Sequence, residues 1–244
     1  MQKRTKPASM SPVKITWLGH SAFRFDTPTG KVVLLDPWLE NPMAPQSAQE
    51  ISRVDLILVS HGHADHVGNT VEIAKRTGAR VIAIHELALF FQNAGVVHAG
   101  GMNKSGTTSA DGITVTMVEA SHSSGIESGH DIFPGADPAG FVITFENGVT
   151  VYHAGDTGVF SDMKLIAELY KPDVAILPIG GLYTMGPREA AKACALLKPL
   201  TIIGMHYGTF PPLAGTPEEL KKFLPPNQRK KVKILQPGIP ANLP

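Results

Sequence analysis

Short apolar runs alternate with helical patterns along nearly the whole chain. The segments "KITWLG" (14–19), "AFRFDT" (22–27) and "VVLLDP" (32–37) are rich in β-branched and aromatic residues. Gly, Pro and Thr break them, which predicts short strands, with "PTGK" as a hairpin turn. "VDLILVS" (54–60) is a continuous apolar run, as in a strand buried on both faces. "NTVEIAKRTG" (69–78) predicts a helix with Asn69 as N-cap and Gly78 as its stop. The strand "RVIAIH" (80–85) and the helix "ELALFFQNAG" (86–95) follow.

The second half repeats this grammar. "GITVTMVEA", "GFVITFEN" and "GVTVYHAGD" predict strands, the last two joined by an Asn147-Gly148 turn. Then come the helix "SDMKLIAELY", the strand "DVAILPIG", the helix "PREAAKACALLK", the strand "LTIIGMH" and the helix "TPEELKKFL". "KVKILQPG" (231–238) reads as a final edge strand. Each half opens on antiparallel hairpins, so the expected fold is α/β: two packed sheets with helices outside, a four-layer αββα sandwich. No linker divides the chain. Residues 1–12 read as a flexible tail and 13–244 as one domain. The segment 121–139, "SHSSGIESGHDIFPGADPA", is a long loop of the kind that often carries function.

Composition narrows the function classes. Of the 244 residues, 43% are apolar and 18% charged, which is globular rather than disordered. The net charge of +1 gives no bulk attraction for a polyanion. Arg229, Lys230, Lys231 and Lys233 lack an aromatic platform, so they read as a solvated surface and no nucleic-acid partner is expected. The basic start "MQKRTKPASM" has no apolar stretch behind it, so it is not read as a signal peptide, and Met10 is a second candidate start. No run reaches the length of a membrane span. Cys194 is the sole cysteine and falls in a helical pattern, so it reads as a small core residue. A cytoplasmic location is expected.

The candidate chemistry lies in "VSHGHADHVGN" (59–69), directly after an apolar run. His61, His63, Asp65 and His66 fall within six residues there. His61 and His63 are two apart and face the same way in extended backbone. Asp65 and His66 follow where the chain turns, so the group can present two nests of ligands. Imidazole suits Zn, Mn, Fe or Ni, and a carboxylate can terminate or bridge. His122, Asp156 and His206 end later apolar runs. Together these are seven ligands, enough for two metal ions with open positions for water.

The pattern H-x-H-x-D-H followed by His, by Asp in "GDTG" and by a late His resembles the metallo-β-lactamase superfamily. "ITWLGHSAF", "LLDPWLENP", "HGHADHVGNTVEIAKRTGA", "VYHAGDTGVFSDMKLI" and "MHYGTFPPLAGTPEEL" look like a family of metal-dependent hydrolases within it. The resemblance runs from Val13 to Gly238 and extends, distantly, to the ascorbate-phosphate lactonase and to the phospholipase D acting on N-acyl phosphatidylethanolamine. It implies His61, His63 and His122 on one metal, Asp65, His66 and His206 on the second, and Asp156 between them. Asp36 would orient a ligand histidine. The cofactor implied is a pair of divalent ions, zinc first, with manganese or iron as alternatives.

His20, in "LGHSAF", is a candidate donor to a leaving group or a structural hydrogen bonder. Tyr207 is a candidate donor to an oxyanion, and His153 a candidate support for Asp156. His130 is a candidate to reach the pocket from the long loop. His85 and His98 read as element ends, Trp17 and Phe23 as core. The expected reaction is hydrolysis of a small-molecule lactone or related ester, with a phosphodiester as the alternative. A non-catalytic metal- or ligand-binding module is the alternative of another class. Self-association is left open.

Overall fold

The computed structural model describes residues 10–128, 131–134 and 136–244. Two sheets carry the fold. The first joins β1 (Lys14–Trp17), β2 (Phe23–Asp26), β3 (Val32–Leu35), β4 (Leu56–Leu58), β5 (Arg80–Ile84) and β6 (Ala99–Met102) in that order, with β15 (Ala241–Asn242) outside β1. Its strands are antiparallel up to β3 and parallel from β3 to β6. The second runs β7 (Thr107–Ala110), β8 (Ile113–Glu119), β11 (Ala139–Thr144), β12 (Thr150–His153), β13 (Val174–Pro178) and β14 (Thr201–Met205). It too is antiparallel as far as β12 and parallel beyond.

The sheets share one core. Phe25 and Phe145 approach with ring centroids 5.3 Å apart, and Phe23 meets His153 at 5.7 Å, each pair joining the first sheet to the second. β4 is buried at every position, as its continuous apolar run predicts, and so are β3, β12 and β13. Trp17 and Phe23 are core residues. Helices cover the other faces: α2 (Thr70–Thr77) and α3 (His85–Asn93) lie on the first sheet. α5 (Pro187–Leu197) lies on the second, flanked by α4 (Met163–Tyr170) and α6 (Pro217–Phe223). The result is the four-layer sandwich expected. Among the described residues, no helix is long and apolar enough to cross a membrane. Residues 1–9 of the expected tail, and His130, lie outside the described residues.

Three local expectations are corrected. "KVKILQPG" is no edge strand: it contributes a single bridge, Ile202 to Val232, before Pro237 removes a donor and Gly238 turns at φ +80°. The loop 121–139 contains a hairpin, β9 (Gly125–Ser128) with β10 (Asp131–Pro134). Asn69 stands at the N-cap of α2 as expected, but its side chain makes no capping bond, because its Oδ1 accepts from the Leu39 amide at 2.8 Å. Gly78, at φ +74°, does end that helix.

Two outcomes follow from the core. Phe145→Ala removes the fully enclosed ring that meets Phe25 and lowers unfolding free energy by about 3–5 kcal/mol in chemical denaturation. Burial pushes the Cys194 thiol up to about 12, so the native protein resists alkylation at pH 8 while the denatured chain reacts readily.

Candidate metal centre

Strand ends place every candidate ligand. Residues 59–63 leave β4, and Asp65 and His66 sit in the one-turn helix α1 (Ala64–Val67). His122 follows β8, Asp156 follows β12, and His206 follows β14 directly. Asp36 follows β3, and His20 lies in the turn after β1. Asp36, His20 and His206 all hold left-handed backbone, at φ +43°, +50° and +54°. Non-glycine residues in that region are strained, and such residues cluster at functional sites. Gly155, at φ +60°, brings Asp156 in close. A Cβ there would stand 2.4 Å from the Ala139 carbonyl oxygen, so only glycine allows that approach.

The structure brings all seven candidate ligands together. In one nest, His61 Nε2 and His63 Nδ1 are 2.9 Å apart, and both rings lie 5.3–5.4 Å from that of His122. In the other, Asp65 Oδ2 is 3.8 Å from His66 Nε2 and 3.7 Å from His206 Nε2. Asp156 Oδ2 reaches both: 3.0 Å to His206 Nε2, 3.3 Å to His66 Nε2 and 3.7 Å to His122 Nε2. One oxygen thus faces the ligand nitrogens of both nests.

Asp36 orients the ring nitrogens. Its Oδ2 accepts from His66 Nδ1 at 2.8 Å and from the Ser60 hydroxyl at 2.7 Å, and its Oδ1 accepts from the Ser60 amide. The Ser60 proton is thereby used, so Ser60 Oγ accepts from His61 Nδ1 at 3.0 Å. With a cation bound, His61 and His66 would both keep their proton on Nδ1 and present an Nε2 lone pair, one to each nest. Ser60 was not singled out in the sequence, although it adjoins the histidine motif.

The electrostatics fit a cation site. Burial opposes charge on Asp156, yet the His66 and His206 rings hold its carboxyl well below the usual range. Burial likewise opposes charge on His206, but Asp156 raises it to about 9. His66 is raised for the same reason, by Asp156, Asp65 and Asp36. Protons on these rings supply positive charge that a bound cation would replace. Among the described residues, His66 Nε2 and Asp156 Oδ1 are buried without a hydrogen-bond partner, which a hard or borderline cation would satisfy. The donor set, five imidazoles and two carboxylates, suits divalent zinc, manganese or iron.

The remaining predicted residues fall into place differently. His20 is buried, its Nε2 2.9 Å from Asp65 Oδ2 and its Nδ1 2.8 Å from Thr209 Oγ1. Burial lowers its pKa, so it is neutral. His153 lies behind the cluster, where Nδ1 accepts from the Gly155 amide at 3.3 Å. Tyr207 is not brought to the cluster: its ring stacks on Trp17 at 5.1 Å, and burial with Glu218 nearby pushes the phenol up to about 12. Beside His122 opens a cavity of about 460 Å³, lined also by Lys104, Glu119, Ser121, Asp137, Phe160 and Asp162.

Known proteins share this arrangement of chain. The family profile described as the beta-lactamase superfamily domain matches residues 14–206. A UPF0173 metal-dependent hydrolase of Koribacter versatilis is 51% identical over 213 residues, 87% of this chain and 91% of that protein. One of Methanosarcina barkeri is 50% identical over 235 residues, 96% of this chain and 100% of its own. In structure, the metallo hydrolase Igni18 of Ignicoccus hospitalis aligns with a TM-score of 0.85 at 37% identity, covering 96% of this chain and 99% of that one. Fold, profile and identity agree, and the chain belongs to the UPF0173 family of metal-dependent hydrolases within the β-lactamase superfamily.

Proposed function

We propose that the protein hydrolyses a neutral carboxylic ester, with lactones as the first class, by means of two divalent ions, zinc foremost. The observation that carries this reading is the position of Asp156 Oδ2, within 3.0–3.7 Å of histidine nitrogens from both nests. His61, His63 and His122 would hold one ion, Asp65, His66 and His206 the other, with Asp156 shared. Ions so held supply Lewis acidity toward a carbonyl and make water nucleophilic near neutral pH. Asp65 and Asp156 each present an oxygen to the His66 and His206 ring nitrogens, where they would orient an attacking water. Asp36 and Ser60 keep the ring nitrogens aimed inward. The nests lie at strand ends that the backbone holds rigidly, so little reorganisation accompanies reaction.

The cavity beside His122 favours an uncharged ester over a phosphodiester. Glu119, Asp137 and Asp162 line it against one cation, Lys104, and Lys104 is already held by Glu119 at 2.7 Å. Three carboxylates there repel an anionic phosphate and accommodate a neutral or cationic substrate.

Three measurements test the reading. Zinc- and manganese-loaded protein, given a paired panel of lactones and phosphodiesters, turns over lactones. Asp156→Ala lowers that rate at least a hundredfold while its fold is retained by circular dichroism. Phosphodiester turnover alone would reassign the substrate, and no turnover of either class with two ions bound would favour a binding module. Metal titration by calorimetry in buffers of different ionisation enthalpy shows proton release at pH 7. His206, at about 9, must lose its proton to ligate, so affinity weakens as pH falls below that value.

A further inference from the structure

We infer that His20 is a positioning residue that fixes the Asp65–His206 half of the metal centre, and that Thr209 sets the direction in which it acts. The inference rests on the two-nest reading above, but it concerns a residue outside the seven ligands.

His20 touches both members of that half with different atoms. Its ring Nε2 lies 2.9 Å from Asp65 Oδ2. Its carbonyl oxygen accepts from the His206 backbone amide at 3.1 Å and from the Trp17 indole at 2.9 Å. The left-handed backbone at φ +50°, next to Gly19 at φ +90°, turns the carbonyl toward Trp17 and His206 and the ring toward Asp65. The ring is wedged between Trp38, edge-on at 5.3 Å, and His206, whose ring centroid is 4.0 Å away. It has little room to rotate.

The proton positions follow from the partners. An ionised Asp65 only accepts, so the His20 proton is on Nε2. Nδ1 then has only a lone pair, and it accepts from the Thr209 hydroxyl at 2.8 Å. Thr209 is buried and stands three residues past His206. The order is therefore Thr209 to His20 to Asp65, with every donor pointing toward the nest. Asp65 needs this support. It sits on a single helical turn with its side chain 32% exposed, whereas Asp156 is enclosed. Because Nε2–H is spent on Asp65, His20 is not poised to protonate a leaving group.

The role predicts an asymmetric effect on metal binding. Loss of a group that holds a ligand weakens metal affinity about 10–100-fold. His20→Asn tolerates the left-handed backbone and keeps the carbonyl, but it cannot reach Asp65. In calorimetric zinc titrations its first equivalent binds as in wild type and its second binds about 10–100-fold more weakly. Thr209→Val frees the tautomer and moves the second equivalent in the same direction, and Thr209→Ser restores it. Thermal melts of the metal-free variants show whether each is folded, and Thr209→Val carries the test if His20→Asn is not. In cadmium-113-loaded protein with nitrogen-15 histidine, His20 Nε2 appears as a protonated nitrogen without cadmium coupling.

Cadmium splitting at His20 Nε2 would overturn the inference by making His20 a ligand. A second equivalent unchanged in both His20→Asn and Thr209→Val would overturn it by leaving the contact without effect. Wild-type protein taking up fewer than two ions would overturn the two-ion reading itself, and the reference titration reveals that before any variant is compared.

Discussion

Two buried carboxylates at the ends of neighbouring sheets, Asp36 and Asp156, are the constraint on which the centre depends. A buried carboxylate is costly unless every oxygen is paired. Asp36 meets that demand with the Ser60 amide, the Ser60 hydroxyl and the His66 ring. Asp156 meets it only in part, through histidines of both nests, and one oxygen remains without a hydrogen-bond partner among the described residues. The first carboxylate is satisfied by the fold alone. The second is left for a cation to satisfy.

The two sheets explain why these groups meet. Each is antiparallel in its first part and parallel in its last, and the candidate ligands leave both sheets at the same end. The parallel strands supply His61, His63 and His206, and the antiparallel ones supply the turns that hold His20 and His122. The Ala139 amide bonds the Ser60 carbonyl at 3.0 Å, which ties one sheet to the other beside the nests. Left-handed residues at three of these exits are the strain the sandwich carries to aim them.

Much of this was legible in the sequence because its signals are local. Four ligand types in six residues after an apolar run need no tertiary knowledge to stand out, nor do apolar runs that stop at His or Asp. The strands and helices followed from periodicity and from their glycine stops. What was hidden depends on contacts far apart in the chain. His20 meets Asp65 across 45 positions and Thr209 across 189. Tyr207 illustrates the converse. Adjacency to His206 suggested a shared site, but His206 leaves β14 in left-handed backbone, and the Tyr207 ring packs on Trp17. "KVKILQPG" has a strand's composition, yet beside β14 it makes only the Ile202–Val232 bridge, and the strand that does form near it in sequence, Ala241–Asn242, pairs with β1 of the other sheet.

That last strand has a consequence for how the protein is made. Ile15 pairs with Ala241, and Leu243 donates to the Val13 carbonyl at 2.9 Å, so β1 waits for residues more than two hundred positions later before its outer edge is covered. During synthesis the open edge of β1 offers unpaired backbone groups to any other extended chain, a hazard that persists until Ala241 and Asn242 arrive. The pairing joins positions as far apart as 15 and 241, and contacts of such span slow the search for the native state. Changes at Ala241–Leu243 therefore bear on folding yield as well as on the resilience of the finished molecule, in which Leu243 is a core residue.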